Sequence, residues 1–240
     1  MQRARLSRYG LLSVSGDDAR AFLHAQLTND IEHLAPERAA LAGWCSAKGR
    51  LLATFLVIPA PQRYLLQLAR DLAAPVAKRL AMFVLRSKVK IADESEAWAQ
   101  YGVWDVDWEK PEVSWDGDAV TVRAGEGRFL QIGRGLAAES TASESQWTLQ
   151  EVRAGRPLIT AATQDRFVPQ MVNLDTLGGI SFQKGCYPGQ EIVARAHYRG
   201  QVKRRMVHLH GPEGLQPGQE FKGGVVVEAA LGELLAVMPE

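Results

Sequence analysis

The sequence predicts an α+β protein, with mixed antiparallel sheets, helices on one face and a small all-β ending. Three observations carry this prediction. Short β-favouring runs bounded by Gly, Pro, Asn and Asp recur along most of the 240 residues. Two stripes at helical spacing interrupt them, Ala19-Phe22-Leu23-Leu27 and Leu72-Val76-Leu80-Phe83-Val84. Hydrophobic residues at 46% and charged residues at 23% describe a packed chain and exclude a disordered one.

Taken in order, Tyr9–Val14 is an apolar strand, and Ser15-Gly16-Asp17-Asp18 supplies the turn and N-cap for the first helix, which ends at Asn29-Asp30. Ala39–Cys45 and Arg50–Ile58 are strands of a hairpin whose loop, Ser46-Ala47-Lys48-Gly49, places glycine where positive φ is expected. Gln62–Ala69 is a third strand. Asp71 caps the second helix, with Pro75 near its first turn. Lys88–Ile91 is a short strand. Trp98–Val106, Val120–Arg123 and Phe129–Ile132 follow as a β-rich middle with a turn at Asp116-Gly117, in which Trp98, Trp104, Trp108 and Trp115 read as core or sheet-surface residues. Residues 135–146 fit a helix or a linker equally. Trp147–Ala154 is helical and stops at Gly155-Arg156-Pro157. Residues 158–179 are loop-like, and Met206–His210, Gly224–Glu228 and Leu234–Met238 are short strands of the β ending.

Lys plus Arg total 28 and Asp plus Glu total 27, so bulk charge does not predict a nucleic-acid or membrane partner. No apolar run approaches the ~20 residues of a membrane span, and the N-terminal arginines lack the apolar core of a secretory signal. Two cysteines, Cys45 and Cys186, cannot build a disulfide framework, which points to a reducing, cytoplasmic setting. Cys45 lies in an apolar strand and reads as core.

The chemistry concentrates in Gln183-Lys184-Gly185-Cys186-Tyr187-Pro188-Gly189-Gln190-Glu191. A lone cysteine is most often a small buried hydrophobe. Here glycines on both sides argue for a tight turn or a close backbone approach. A short helix from Gln190 to His197 would put Cys186 just before a helix N-terminus, where backbone N–H groups favour a thiolate. Arg195, Arg199, Lys203, Arg204 and Arg205 follow, with Glu191 the only acid from 184 to 205, so this stretch suits an anionic partner. His197 and His24 are conceivable partners for the thiol, which no spacing rule decides. Trp147 could present a flat face to a planar ligand or close a hydrophobic lid.

These residues carry a resemblance. Lys184-Gly185-Cys186-Tyr187 with Gly189-Gln190-Glu191 resembles the K-G-C-Y-x-G-Q-E signature of the YgfZ-type folate-binding proteins, relatives of the glycine cleavage T-protein, a tetrahydrofolate-dependent aminomethyltransferase. Val14–Asp18, Gln26–Asp30, Phe167–Gln170, Asn173-Leu174, Leu177–Phe182 and Tyr198-Arg199-Gly200 match as well, so the resemblance runs from about residue 7 to 210. It implies two small α+β domains and a C-terminal β-barrel around a central folate pocket. The expected divisions are 1–95, which can receive a later segment, 96–200, and 201–240 as a shortened barrel. It implies tetrahydrofolate or a derivative as cofactor, and a role in assembling or repairing iron–sulfur proteins, including enzymes that modify tRNA. The expected partners are folate, iron–sulfur proteins or their assembly machinery, and a weak RNA contact, with no membrane.

Carried over residue by residue, Cys186 is the candidate reactive thiol, and Tyr9, Trp147, Lys184, Gln190 and Arg199 are the candidate cofactor-binding residues; no metal ligands are expected. Tyr9 replaces a tryptophan seen in a relative, and its ring could still stack on a pterin. Two departures bear on activity. Ala53-Thr54 stands where the T-protein carries its Asp-Asp pair, so the carboxylate that would serve aminomethyl chemistry is missing. Arg153 stands where relatives commonly have Glu. The chain is therefore aminomethyltransferase-like with its enzyme status open. The alternative to the accessory role is a folate-dependent aminomethyl or one-carbon transferase, which would need an acid from Asp165, Asp175 or Glu191.

Overall fold

The structure, a computed structural model, describes residues 1–107, 109, 111–200 and 202–239; Trp108 lies outside the described residues. Its elements in chain order are β1 (Gln2–Arg5), β2 (Tyr9–Ser15), α1 (Ala19–Gln26), β3 (Ala40–Cys45), β4 (Leu51–Ala60), β5 (Arg63–Ala69), α2 (Arg70–Ala81), β6 (Lys90–Asp93), β7 (Ala99–Trp104), β8 (Val113–Asp116), β9 (Ala119–Gly125), β10 (Arg128–Gly133), α3 (Glu144–Arg153), α4 (Gln190–Tyr198), β11 (Arg204–His210), β12 (Glu220–Phe221), β13 (Gly224–Ala230) and β14 (Glu233–Pro239). They form three antiparallel sheets. The first has the order β3-β4-β5-β2-β6, the second β1-β7-β10-β9-β8 and the third β11-β14-β13-β12.

The first sheet explains the longest apolar run. Strand β4 is buried along almost its whole length, as expected of a strand covered on both faces rather than alternating in and out. Helix α2 packs on β2, β5 and β6 through Leu72, Ala73, Val76 and Leu80. It ends at Ala81, so Phe83, expected on its stripe, stands 44% exposed beyond it. Asp18 holds the N-cap position of α1 without a side-chain capping bond, and Asp71 lies inside the first turn of α2, whose N-cap is Ala69. The Asp18 carboxylate accepts the Lys88 N–H at 2.7 Å, and the Asp71 carboxylate accepts the Ala161 N–H at 2.9 Å. Both acids tie distant segments to helix starts.

The second sheet contains a strand the sequence reading missed. β1 pairs with β7 from Gln2↔Trp104 to Arg5↔Tyr101. Its arginines hide it, because only Ala4 turns fully inward. Residues 135–143 form no helix and run beside β1, where the Thr141 and Ala142 N–H groups reach the Arg3 carbonyl. Helix α3 then starts on a Ser143/Gln146 capping box. It lies between the second and third sheets, touching β1 and β7 on one side and β13 and β14 on the other. Trp147 is fully buried there, its ring 5.9 Å from that of Trp104 and lying directly on Gly102, where any Cβ would collide with the indole.

The third sheet corrects the expectation of a barrel. Its four strands stay open, with β11 and β12 at the two edges. Closure needs strands long and tilted enough to meet across the gap, and β12 has only two residues. Among the described residues no helix is long and apolar enough to cross a membrane.

Arg8, between β1 and β2, ties the modules together. Its guanidinium donates to Glu228 on β13 at 2.7 Å and to Thr148 on α3 at 2.9 Å, and its backbone N–H donates to Glu144 at 2.9 Å. Glu228 is 2% exposed, and burial pushes its carboxyl above the usual range against the pull of Arg8. Removing one member of such a pair strands the other. Arg8→Met is expected to lower unfolding stability by about 3 kcal/mol in urea titrations, whereas Arg8→Met/Glu228→Met recovers most of the loss. Equal losses in the single and double variants would contradict this.

Candidate functional site

Where the three sheets approach one another, a small cavity opens. Tyr9, Leu41, Thr54, Phe55, Leu56 and Gln67 line it from the first sheet. Glu151, Arg156, Pro157 and Leu158 line it from α3 and the chain after it, and Glu228 from β13. The polar groups are held by partners. Glu151 accepts Arg128 at 2.6 Å and faces the Arg156 Nε at 3.5 Å. Gln67 donates to Gln100 at 2.8 Å, and Gln100 donates to the Tyr9 carbonyl at 3.2 Å. Burial raises the Tyr9 phenol well above its ordinary value, so it stays a neutral donor. Thr54 is spent on backbone: its hydroxyl accepts the Ile159 N–H at 3.1 Å and faces the Pro157 carbonyl at 3.3 Å.

The cavity measures about 30 Å³, more than the ~10–15 Å³ that a single water needs on the same measure. Leu158 also lines a second hollow of about 400 Å³, together with Ser7, Arg8, Ala69, Arg70, Asp71 and Thr160. Two arginines line that hollow beside Asp71, each already paired, Arg8 with Glu228 and Arg70 with Glu96.

The signature loop lies elsewhere on the first sheet, at the end of α1 and over the β3–β4 turn. Segments recognised in the sequence dock on one another here. Thr28 donates to the Gly179 carbonyl at 2.6 Å, Asn29 to the Gly178 carbonyl at 2.8 Å, and the Ser181 N–H to the Thr28 carbonyl at 2.9 Å. The Lys184 ammonium reaches under the loop to the His24 carbonyl and, at 2.7 Å, to the Leu27 carbonyl. It thereby satisfies orphan groups at the C-terminus of α1, where a cation is also favoured by the helix dipole. The same ammonium stands 4.8 Å from the centre of the Tyr187 ring. Gly189 has φ 78°, and a Cβ there would strike the Ser46 carbonyl and Gly49, so only glycine fits against the hairpin turn. α4 begins at the next residue.

Cys186 is exposed. Cys45 is buried core, and burial pushes its thiol up to about 12. Burial lowers the Lys184 ammonium to about 8, partly opposed by Asp30 and Cys186. Lys184 and Cys186 share one loop and Gln190 opens α4 directly after it, while Tyr9 belongs to the cavity, whose lining includes neither Cys186 nor Trp147. Arg199 is exposed at the end of α4. His197 stacks on Phe182 at 3.8 Å, whereas the His24 Nε2 faces Gly185, 3.9 Å from where a Cβ would be. Asp165 accepts Ser46 at 3.0 Å, Asp175 pairs with Arg205 at 2.8 Å, and Glu191 is exposed; none lines the cavity. Arg153 points to Glu233 at 2.6 Å, so its sign change acts on a surface pair outside the cavity lining.

Sequence reasoning missed Gln67, Glu151, Arg156 and Glu228. Two of them carried a readable signal: Gln67 and Glu228 interrupt the otherwise apolar runs Leu65-Leu66-Gln67-Leu68 and Val225-Val226-Val227-Glu228. Glu151 follows the buried Trp147 by one helical turn.

No family model matches the chain. Among curated relatives, the tRNA-modifying protein YgfZ of Edwardsiella ictaluri is 32% identical over 234 residues, covering 86% of this chain and 70% of that protein. Its counterpart in Colwellia psychrerythraea is 32% identical over 250 residues, covering 95% and 76%. Among solved structures, the glycine cleavage system aminomethyltransferase T from Bartonella henselae superposes with a TM-score of 0.75 at 15% identity, covering 99% of this chain and 78% of that one. At that identity the likeness establishes the shared fold.

The geometry makes Lys184 an anchor with a titration signature. Its folded value, about 8, lies below the ordinary 10.5, so between those values the unfolded chain binds more protons. The cost of burying the ammonium is full below about pH 8 and is relieved as pH rises toward 10.5. Stability measured across this window should rise more, or fall less, in the wild type than in Lys184→Met. At pH 7 Lys184→Met should also lose about 1–3 kcal/mol through the orphaned carbonyls. Parallel pH profiles for the two proteins would refute the anchor.

Proposed function

Because the chain belongs to the YgfZ family of tRNA-modifying proteins, we propose that it is a tetrahydrofolate-binding accessory protein for iron–sulfur cluster assembly or repair. The enzymes it supports include those that modify tRNA, and Cys186 is its reactive thiol. Its expected partners are iron–sulfur proteins or their assembly machinery, in the cytoplasm.

One observation carries the folate part: a cavity at the meeting point of three sheets that combines a neutral aromatic phenol, two carboxylates, an amide and a guanidinium within an apolar rim. A pterin ring presents N–H donors and an oxo acceptor along one flat edge. Tyr9 would offer its ring face, Glu151 and Glu228 would accept from the donors, and Gln67 and Arg156 would donate to the acceptor. The lining thus fits the ring chemically. It fits by size once Leu158 withdraws and the cavity joins the 400 Å³ hollow. There Arg8 and Arg70 would hold the carboxylates of the glutamate tail. When bound, tetrahydrofolate would supply a carrier of one-carbon units.

The protein's own groups restrict the chemistry open to such a carrier. Thr54 commits its hydroxyl to backbone, and neither it nor Ala53 offers a carboxylate to take a proton. One feature favours the second reading, a one-carbon transferase: Glu228 is a buried carboxyl with a raised pKa on the cavity wall, a common trait of acid–base groups. Its pairing with Arg8 argues that it binds and braces instead. For the iron–sulfur part, an exposed thiol on a braced loop suits transient ligation, as thiolate, of an iron of a client's cluster. A resident cluster would need further ligands, and among the described residues no three His, Cys, Asp or Glu side chains are grouped to hold a metal.

Calorimetric titration with tetrahydrofolate should show one site, weakened at least tenfold by Tyr9→Ala and by Glu151→Gln and unchanged by Cys186→Ser. In cells lacking the wild-type protein, Cys186→Ser should fail to restore iron–sulfur-dependent tRNA modification. Wild-type affinity in both cavity variants would refute the folate site. Full restoration by Cys186→Ser would refute the thiol's role. Robust aminomethyl transfer to a lipoyl carrier protein would decide for the transferase.

A further inference from the structure

We propose that the face formed by α4 and the start of β11 is a docking surface for single-stranded RNA. The inference stands apart from the folate reading, and its test reads RNA alone.

Four cations of this stretch, Arg195, Arg199, Lys203 and Arg204, are exposed, and among the described residues none of their side chains has an ion-pair or hydrogen-bond partner. Arg195 and Arg199 are four residues apart and share one side of the helix. Glu191 lies one turn before Arg195 on that side yet forms no ion pair with it, and Asp175 is already occupied by Arg205.

The two elements are held together from below. The Gln170 side chain donates to the Val193 carbonyl of α4 at 2.7 Å, while the Gln170 carbonyl accepts Arg205 of β11 at 3.0 Å. Asn173 donates to the Met206 carbonyl at 2.8 Å. The cationic groups are thus mounted on a common base rather than on a loose tail.

An aromatic platform stands among them. Tyr198 is 67% exposed, and its ring meets His197 at 4.7 Å and Phe182 at 6.1 Å in edge-on contacts, with His197 stacked on Phe182. Unpaired cations suit any polyanion. An exposed tyrosine on the same helix as the arginines adds what an acidic peptide does not need and an unpaired base does: a flat face to stack on. That combination selects single-stranded RNA over an acidic protein.

Fluorescence anisotropy with a labelled oligouridylate tests this, using the intact chain. Affinity should fall steeply with salt, by about 0.7 log units per log unit of salt for each phosphate contacted. Arg195→Ala/Arg199→Ala should weaken binding and flatten the slope by roughly 1 to 1.5. Tyr198→Ala should weaken binding about five- to a hundredfold at unchanged slope, and Tyr198→Phe should restore it. These residues are exposed, so the variants are expected to fold; circular dichroism checks this. The proposal is overturned by no binding at low salt, by wild-type binding in the double-arginine or Tyr198→Ala variant, or by equal competition from an oligoglutamate peptide.

Discussion

One half-buried guanidinium sets the geometry on which everything else depends. Arg8 belongs to the junction between β1, in the second sheet, and β2, in the first, and it reaches Thr148 on α3 and Glu228 on the third sheet. A charge pair in that place is a poor source of net stability compared with well-packed hydrophobes, because both partners are taken out of water. What it does supply is registration. Three small sheets, each too slight to form a large core alone, must meet at one angle for their pairs to close. The adjacent residue, Tyr9, then faces the space left between them.

That arrangement separates two kinds of chemistry. The cavity is lined by polar groups that already have partners, among them Glu151, Gln67 and Thr54. The Cys186 loop is braced from beneath by a lysine and against a hairpin by a glycine, with its thiol outside. The chain from 158 to 189 connects them. It holds only one short 3-10 turn, Pro169–Val172, and no other helix or strand, and is kept in place by side chain–to–backbone hydrogen bonds. A ligand that displaced Leu158 would therefore pull on the same segment that carries the thiol.

Much of the fold could be read in advance. The β3–β4 hairpin with Gly49 at φ 68°, the strand β5, and the run of β9 and β10 follow from alternation and turn chemistry. β1 could not, because its stability comes from pairing with β7 and its own side chains are mostly cationic. The open third sheet departs from the closed barrel that the resemblance implied. For the site, the signature located the thiol loop. The contacts of its neighbours were legible only in three dimensions: Lys184, a cofactor-binding candidate by resemblance, donates to the carbonyls of α1. Gln170 and Asn173, singled out as motif residues, brace α4 and β11. The polar lining of the cavity comes from residues far apart in sequence, so spacing could not have assembled it.

The central claim is that a pterin ring occupies the junction of the three sheets. A crystal structure of the protein soaked with tetrahydrofolate tests it most directly. The account predicts density for the ring against Tyr9, between Glu151 and Glu228, with Leu158 displaced and the tail running toward Arg8 and Arg70. Density for the ligand at any other location, with the junction still closed, would contradict it.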